Sequence, residues 1–254
     1  MEDEGGIALP EPPSPNLLRR LSFAGSTQET HDVTTFRFSV RDEPFAWRAG
    51  QFLELSFPGL QDPRGPTRPF TIASSPTEKG PLAISTKMTG SPFKERLKAL
   101  RPGDPVNITA PHGDFVLEPG RPAVLLAGGI GITPFRSMLR FATDAGVNQP
   151  LVLVLTNKTP EDIVFRRELL DLAQRNQALR VVHTITRPQE SKESWEGHVG
   201  HVDAELLRDA VRGIPQPLVY LAGPPGLVRA DRKVVVEGLH FSEADLRTEE
   251  FDGY

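Results

Sequence analysis

The 254-residue chain contains no cysteine. Disulfides, thiolate-ligated zinc, cysteine nucleophiles and iron–sulfur clusters held by this chain are therefore excluded. A dense run of lysine and arginine is also missing, and the formal net charge is -4, so no nucleic-acid partner is expected. Long apolar runs are missing too. The most hydrophobic stretch, residues 123–135, is too short and too rich in glycine to span a bilayer. Residues 1–16 hold Glu2, Asp3, Glu4 and Glu11 with no lysine or arginine, and so carry the whole net charge. They lack the basic and apolar regions of a signal peptide and read as a disordered acidic tail on a soluble, cytoplasmic protein. The histidines are scattered, His198 and His201 forming the one close pair, with no carboxylate spacing that predicts a metal site.

What is present divides the chain into two halves. From residue 17 to 118, short β-rich runs (18–23, 33–40, 52–57, 69–73, 82–87 and 106–109) alternate with turn residues, which predicts a six-stranded antiparallel β-barrel. One helix interrupts them: Phe93, Leu97 and Leu100 recur at helical spacing, Pro92 suits the first helical position and Ser91 the N-cap. Residues 118–122 read as a linker. From 123 to 254 the pattern becomes apolar strand, glycine turn, helix, with strands at 123–127, 151–156, 179–185, 218–222 and 246–251. Helices begin near Thr133, Thr159 and Pro224, and another runs over 203–212. This is α/β architecture with a five-stranded parallel sheet.

Two glycine turns at strand ends mark where a ligand would sit. The first is Gly128-Gly129-Ile130-Gly131-Ile132-Thr133-Pro134, the second Gly223-Pro224-Pro225-Gly226. Glycines after a parallel strand let backbone N–H groups approach a pyrophosphate beside a helix N-terminus; equally, each turn is an ordinary tight connection. In the β half, Arg68-Pro69-Phe70-Thr71 places a cation, an aromatic ring and a hydroxyl on one strand, suited to a phosphate, a planar ring and its polar edge. Gly90-Ser91 opens a helix whose first N–H groups favour an anion.

In this order, these elements resemble the ferredoxin–NADP reductase superfamily. Arg68-Pro69-Phe70-Thr71 matches its Arg-x-Tyr/Phe-Ser/Thr flavin motif, Gly90-Ser91 its diphosphate site, residues 128–134 its nucleotide turn, and Ala222-Gly223-Pro224-Pro225-Gly226 its late Cys-Gly-Pro-Pro-Gly. The resemblance implies FAD bound through Arg68, Pro69, Phe70, Thr71, Ile72, Ala73, Ser74, Gly90 and Ser91. It implies a nicotinamide dinucleotide across Gly128, Gly129, Gly131, Thr133, Gly223, Pro224 and Pro225. Thr71 takes the place of the residue that hydrogen-bonds near flavin N5. Phe251 of the Glu-x-Phe ending is the aromatic against the flavin face, with Tyr254 the alternative.

The implied reaction passes hydride from NADPH or NADH to FAD and then electrons to an acceptor. Without cysteine, that acceptor is a separate carrier such as ferredoxin, flavodoxin or an oxygenase component. Asn157, Lys158, Thr186 and Arg187 stand where relatives hold the adenosine ribose. Thr186 replaces an acidic residue common in NADH-preferring relatives, so NADPH is the expected donor, with Lys158 or Arg187 meeting the 2′-phosphate. Ala222 replaces the usual cysteine near the hydride path and predicts slower turnover. It also motivates an alternative, a flavin-binding regulatory or electron-transfer subunit with little reductase activity.

Overall fold

The computed structural model describes residues 17–40 and 46–252; the acidic tail and Tyr254 lie outside them. The first half forms a six-stranded antiparallel sheet in the order β4-β3-β6-β1-β2-β5. Its strands are β1 (Leu17–Gln28), β2 (Val33–Val40), β3 (Phe52–Ser56), β4 (Thr67–Thr71), β5 (Leu82–Lys87) and β6 (Pro105–His112). The edge strands β4 and β5 come into contact and close the sheet on itself. Alternate residues point inward: Phe36 and Phe38 of β2, Leu53 and Leu55 of β3, and Val106 and Ile108 of β6 fill one apolar core with Ile72, Ile84, Phe93 and Leu97. The last two come from α1 (Pro92–Lys98), whose Ser91 cap accepts from the Lys94 N–H.

The second half is a parallel sheet in the order β10-β9-β8-β7-β11-β12, built from β7 (Ala123–Gly128), β8 (Leu151–Asn157), β9 (Leu179–Ile185), β10 (His198–Val199), β11 (Leu218–Gly223) and β12 (Leu246–Glu250). Strands β7, β8 and β11 are buried along their whole length, as required where helices cover both faces. The two faces separate by alternation. Leu125, Ala127, Leu153 and Leu155 pack with Phe135, Met138, Leu139, Leu169 and Leu172 from α2 (Ile132–Asp144) and α3 (Arg166–Arg175). Val124, Leu126, Val152 and Val154 pack with Leu206, Leu207 and Val228 from α4 (Ala204–Ala210) and α5 (Pro225–Lys233).

Two differences from the sequence reading have local causes. The sixth strand, β10, is only two exposed residues beside β9, too short to leave a pattern. The helix expected at Thr159 is instead a single 3-10 turn. There the Asp162 carboxylate accepts from both the Thr159 N–H and Oγ1 at 2.9 Å. The chain then extends to bury Ile163 and Val164, passes Phe165 at φ 60°, and enters α3 only at Arg166. Apolar burial outweighs the local capping signal here.

The chain runs outward from β7 through β8 to β10, then returns to the other side of β7 as β11. The strand order reverses between β7 and β11, and a crevice opens at their carboxyl ends. Both glycine turns lie there and touch. A Cβ on Gly131 would fall 2.1 Å from the Ala222 carbonyl oxygen and 2.8 Å from Gly223 Cα. Gly131 is thus the point at which one turn leans on the backbone of the other. Gly129, at φ +53°, has open space where a Cβ would project, leaving its backbone approachable. Gly131→Ala is expected to destabilise the fold by about 2–3 kcal/mol through overpacking against backbone that cannot yield, read as a lowered thermal midpoint. Gly129→Ala should cost only about 1 kcal/mol, the left-handed backbone penalty.

Candidate functional site

Where β4, β5 and α1 of the barrel face the crevice and the end of β12, the structure encloses a cavity of about 390 Å³. Arg68, Pro69, Phe70, Thr71, Ser91, Thr133 and Phe251 all line it, so residues separated by most of the chain converge on one space. Ile72 and Ala73 are buried in the barrel at 0% and 1% exposure; their N–H groups donate to the Gln51 and Ala83 carbonyls, and the Ala73 carbonyl accepts from Arg136. The Ser74 hydroxyl accepts from the Ala83 N–H at 3.0 Å. Gly90 is exposed, at φ +71°. Gly128, Gly129, Gly131, Gly223, Pro224 and Pro225 do not line this cavity, although Ile130 and Thr133 of the first turn do. The Gly223 carbonyl accepts from the Phe251 N–H at 2.9 Å and so fixes the chain end over the cavity.

Arg68 is anchored, not a solvated strand-end charge. Its Nη2 donates to Asp62 Oδ1 at 2.5 Å, and its Nη1 donates to the carbonyls of Arg64, Gly65 and Thr67 at 2.7–2.8 Å. The guanidinium lies 5.2 Å above the Phe93 ring. Asp62 Oδ2 accepts from the Phe93 N–H at 3.0 Å, so the first N–H groups of α1 are already used by Asp62 and Ser91. This departs from the expected open helix start. The Arg64 N–H holds the Asp62 carboxyl below the usual range against its partial desolvation, with help from the Phe93 N–H and Arg68.

Three side chains that sequence reasoning did not single out also line the cavity: Arg64, Lys94 and Glu249. Burial, with the charges of Arg64, Arg68 and Lys87, pushes the Lys94 ammonium down to about 8. An anionic group beside Lys94 would favour its charged form against this burial. Glu249 lies beside Ala222 across the β11–β12 pair. Its Oε2 is buried without a hydrogen-bond partner, and burial pushes its carboxyl up to about 7. Thr71 Oγ1 is likewise buried without a partner. Two orphaned polar atoms beside an apolar ring and a cation cluster fit a planar heterocycle carrying a diphosphate. The sequence signal for Glu249 was its place in Glu249-Glu250-Phe251; Arg64 stands only four residues before Arg68, whereas Lys94 had no signal because only folding brings α1 beside Arg68.

The residues expected to meet the adenosine ribose sit apart, at the ends of β8 and β9. The Arg187 N–H donates to the Lys158 carbonyl at 2.8 Å, and the Thr186 N–H to the Asn157 carbonyl at 2.9 Å, so Lys158 and Arg187 are backbone neighbours. Both side chains are exposed. Arg187 has only a 3.5 Å contact with Glu190. Asn157 is buried, with both side-chain amide atoms unpartnered. Among the described residues, no helix is long and apolar enough to cross a membrane.

Comparison with known proteins agrees with this geometry. A family model described as an oxidoreductase FAD-binding domain matches residues 21–117, and an oxidoreductase NAD-binding domain matches residues 125–233. The chain is 34% identical over 218 residues to ferredoxin–NADP reductase B of Sorangium cellulosum, spanning 82% of this chain and 86% of that protein. It is 33% identical over 216 residues to the glycine betaine monooxygenase reductase subunit of Chromohalobacter salexigens, covering 82% of this chain but only 57% of that relative. A ferredoxin NADP+ reductase from Neisseria gonorrhoeae, solved with bound FAD and NADP, shares the fold. Its TM-score is 0.72, at 20% identity, over 92% of this chain and 98% of that one. The chain belongs to the ferredoxin–NADP reductase superfamily, the flavoprotein oxidoreductases that join an FAD-binding to an NAD-binding domain.

Proposed function

We propose that the chain takes reducing equivalents from NADPH, or less efficiently NADH, onto FAD held in this cavity, and delivers them to a separate electron-carrier protein. Residues 17–118 serve as the flavin domain and residues 123–254 as the nucleotide domain. The observation that carries the reading is the convergence of the buried, unpartnered Thr71 hydroxyl with Phe70, Phe251 and the Arg64–Arg68–Lys94 cluster in one cavity at the strand-order reversal. The relatives named for ferredoxin–NADP and monooxygenase reduction favour ferredoxin or an oxygenase component as the carrier.

When bound, the flavin supplies two-electron acceptance from a nicotinamide and release of those electrons singly or together. The chain supplies binding, orientation and exclusion of water. Arg64, Arg68 and Lys94 neutralise the diphosphate, Arg68 from a position fixed by Asp62. Phe70 and Phe251 offer apolar ring faces, and the Thr71 hydroxyl meets the polar edge of the flavin. Thr133 and the backbone at Gly129 position the nicotinamide end of the dinucleotide from the crevice side. The Glu249 carboxyl holds its proton below about pH 7, which limits the negative charge in a cavity that Glu250 and Asp252 also line.

Both titrating groups give this reading a pH signature. Binding a dianion favours protonated Lys94 and protonated Glu249, so it draws in protons wherever the ligand-free groups have lost them. FAD affinity is therefore expected to be greatest below pH 7 and to fall through about 7 and about 8 as Glu249 and then Lys94 deprotonate. Titrating the FAD-free protein with FAD across this range checks it. Glu249→Gln should remove the lower limb, and Lys94→Met the upper one; a flat profile contradicts the placement of the diphosphate.

The donor preference rests on Lys158 and Arg187. Removing a charged hydrogen-bonding partner of a 2′-phosphate costs about 1.5–3 kcal/mol. Arg187→Ala, and more so the Lys158→Ala/Arg187→Ala pair, are expected to lower kcat/KM for NADPH about tenfold or more while leaving that for NADH within about twofold. Equal losses with both nucleotides would remove the NADPH assignment.

A further inference from the structure

Arg136 lies one turn into α2, the helix that begins at the first glycine turn. A guanidinium has five N–H donors, and in this structure each has a separate acceptor interaction. Nε and Nη2 donate to the two oxygens of Glu168 at 3.0 and 2.7 Å. Nη1 and Nη2 donate to the two oxygens of Glu78 at 2.5 and 2.9 Å. Nη1 also donates to the Ala73 carbonyl at 2.8 Å. The side chain is only 12% exposed, and its guanidinium lies 5.6 Å from the Phe165 ring centroid. The next residue repeats the grip, as Ser137 Oγ donates to the Ser74 carbonyl at 2.8 Å.

These acceptors belong to three segments. Ala73 and Ser74 continue directly from Thr71 on the flavin strand β4, and Glu78 follows in the same loop. Glu168 lies in the first turn of α3, which follows the segment carrying Asn157 and Lys158. Arg136 itself is three residues beyond Thr133. One largely buried side chain thus ties the continuation of β4, helix α2 behind the first glycine turn, and helix α3 together. Two planar bidentate pairs plus a carbonyl permit one relative placement of these segments, which a point charge such as lysine with three donors cannot reproduce.

We propose that Arg136 is the positioning residue of this reductase: it touches neither flavin nor nucleotide, and sets the separation of Thr71 from Thr133, across which hydride passes. The inference rests on FAD and the dinucleotide meeting in this cleft. Since misplacement by about 1 Å can cost about 100-fold in rate, its removal acts on the transfer step more than on binding of either partner.

The test uses FAD-loaded wild-type protein, Arg136→Lys, Arg136→Ala, and Arg175→Ala as a control that removes the ion pairs from the end of α3 to Asp171 and to Asp144 of α2, away from the Glu78–Arg136–Glu168 contacts. Three quantities are read: flavin retained, the change in flavin absorption when NADP+ binds, and the limiting rate of flavin bleaching by NADPH together with its half-saturating concentration. Both Arg136 variants are expected to keep their flavin, to lose at least about tenfold in limiting rate with half-saturation within about twofold, and to show a diminished NADP+-induced spectral change. Arg175→Ala should match wild type in all three. A wild-type limiting rate and spectral change in both Arg136 variants overturns the proposal. So does flavin loss in step with activity, which marks a merely structural role. If Arg136→Ala does not fold, Arg136→Lys and Glu78→Gln decide by the same criteria. Wild-type protein that binds no FAD removes the cleft reading itself, whatever the variants do.

Discussion

The contact between Gly131 and the Ala222 carbonyl is the constraint on which the rest of the structure depends. Parallel strands β7 and β11 are hydrogen-bonded neighbours whose chains turn away in opposite senses, so their ends must pass at backbone distance. A side chain at Gly131 would force them apart. With the two turns in contact, α2 leaves at the angle that carries Thr133 to the cavity and Arg136 to the barrel. β12 then follows β11 in register, bringing Glu249 and Phe251 over β4. The site is assembled by the sheet's change of direction and is closed by the barrel.

Electrostatics then distinguishes this cavity from an ordinary apolar cleft. Arg68 is braced by Asp62 and three carbonyls, and the Lys94 ammonium is pushed down by burial and, after that, by its cationic neighbours. Glu249 is kept neutral by burial up to about pH 7. Each of these arrangements costs stability in isolation. Under the proposed function they suit a negatively charged, planar guest, which supplies partners for the unpartnered oxygens of Thr71 and Glu249. The carboxylates around Arg136 do the opposite: they satisfy their cation completely and leave nothing for a ligand.

Much of this was legible in the residues. Short β-rich runs between turns mark the barrel strands, though β1 runs five residues past its expected end, and continuous apolar runs mark the parallel ones; Arg68 through Thr71 and Phe251 line the cavity as a set. What was not legible has physical reasons. β10 is too short to have a period. At Thr159 a capping signal sits before residues whose burial demands an extended chain, and the burial prevails. Lys94 lines the cavity only because α1 folds back onto the loop before β4, which carries Arg64. Asp62 looks like any surface carboxylate until it is seen to bridge Arg68 and the α1 backbone. Gly131 reads as a phosphate-facing glycine, yet the structure uses its missing side chain for turn-to-turn contact. The Ala222 substitution leaves a small apolar side chain in the core beneath that contact, so the fold tolerates it.

The central claim is that one cleft brings FAD and a nicotinamide dinucleotide together for electron transfer. Anaerobic titration of FAD-loaded protein with NADPH, followed by addition of an oxidised carrier, tests it most directly. The account predicts that about one equivalent of NADPH bleaches the flavin absorbance and that the carrier restores it. A yellow protein that keeps its colour with both NADPH and NADH would contradict the account.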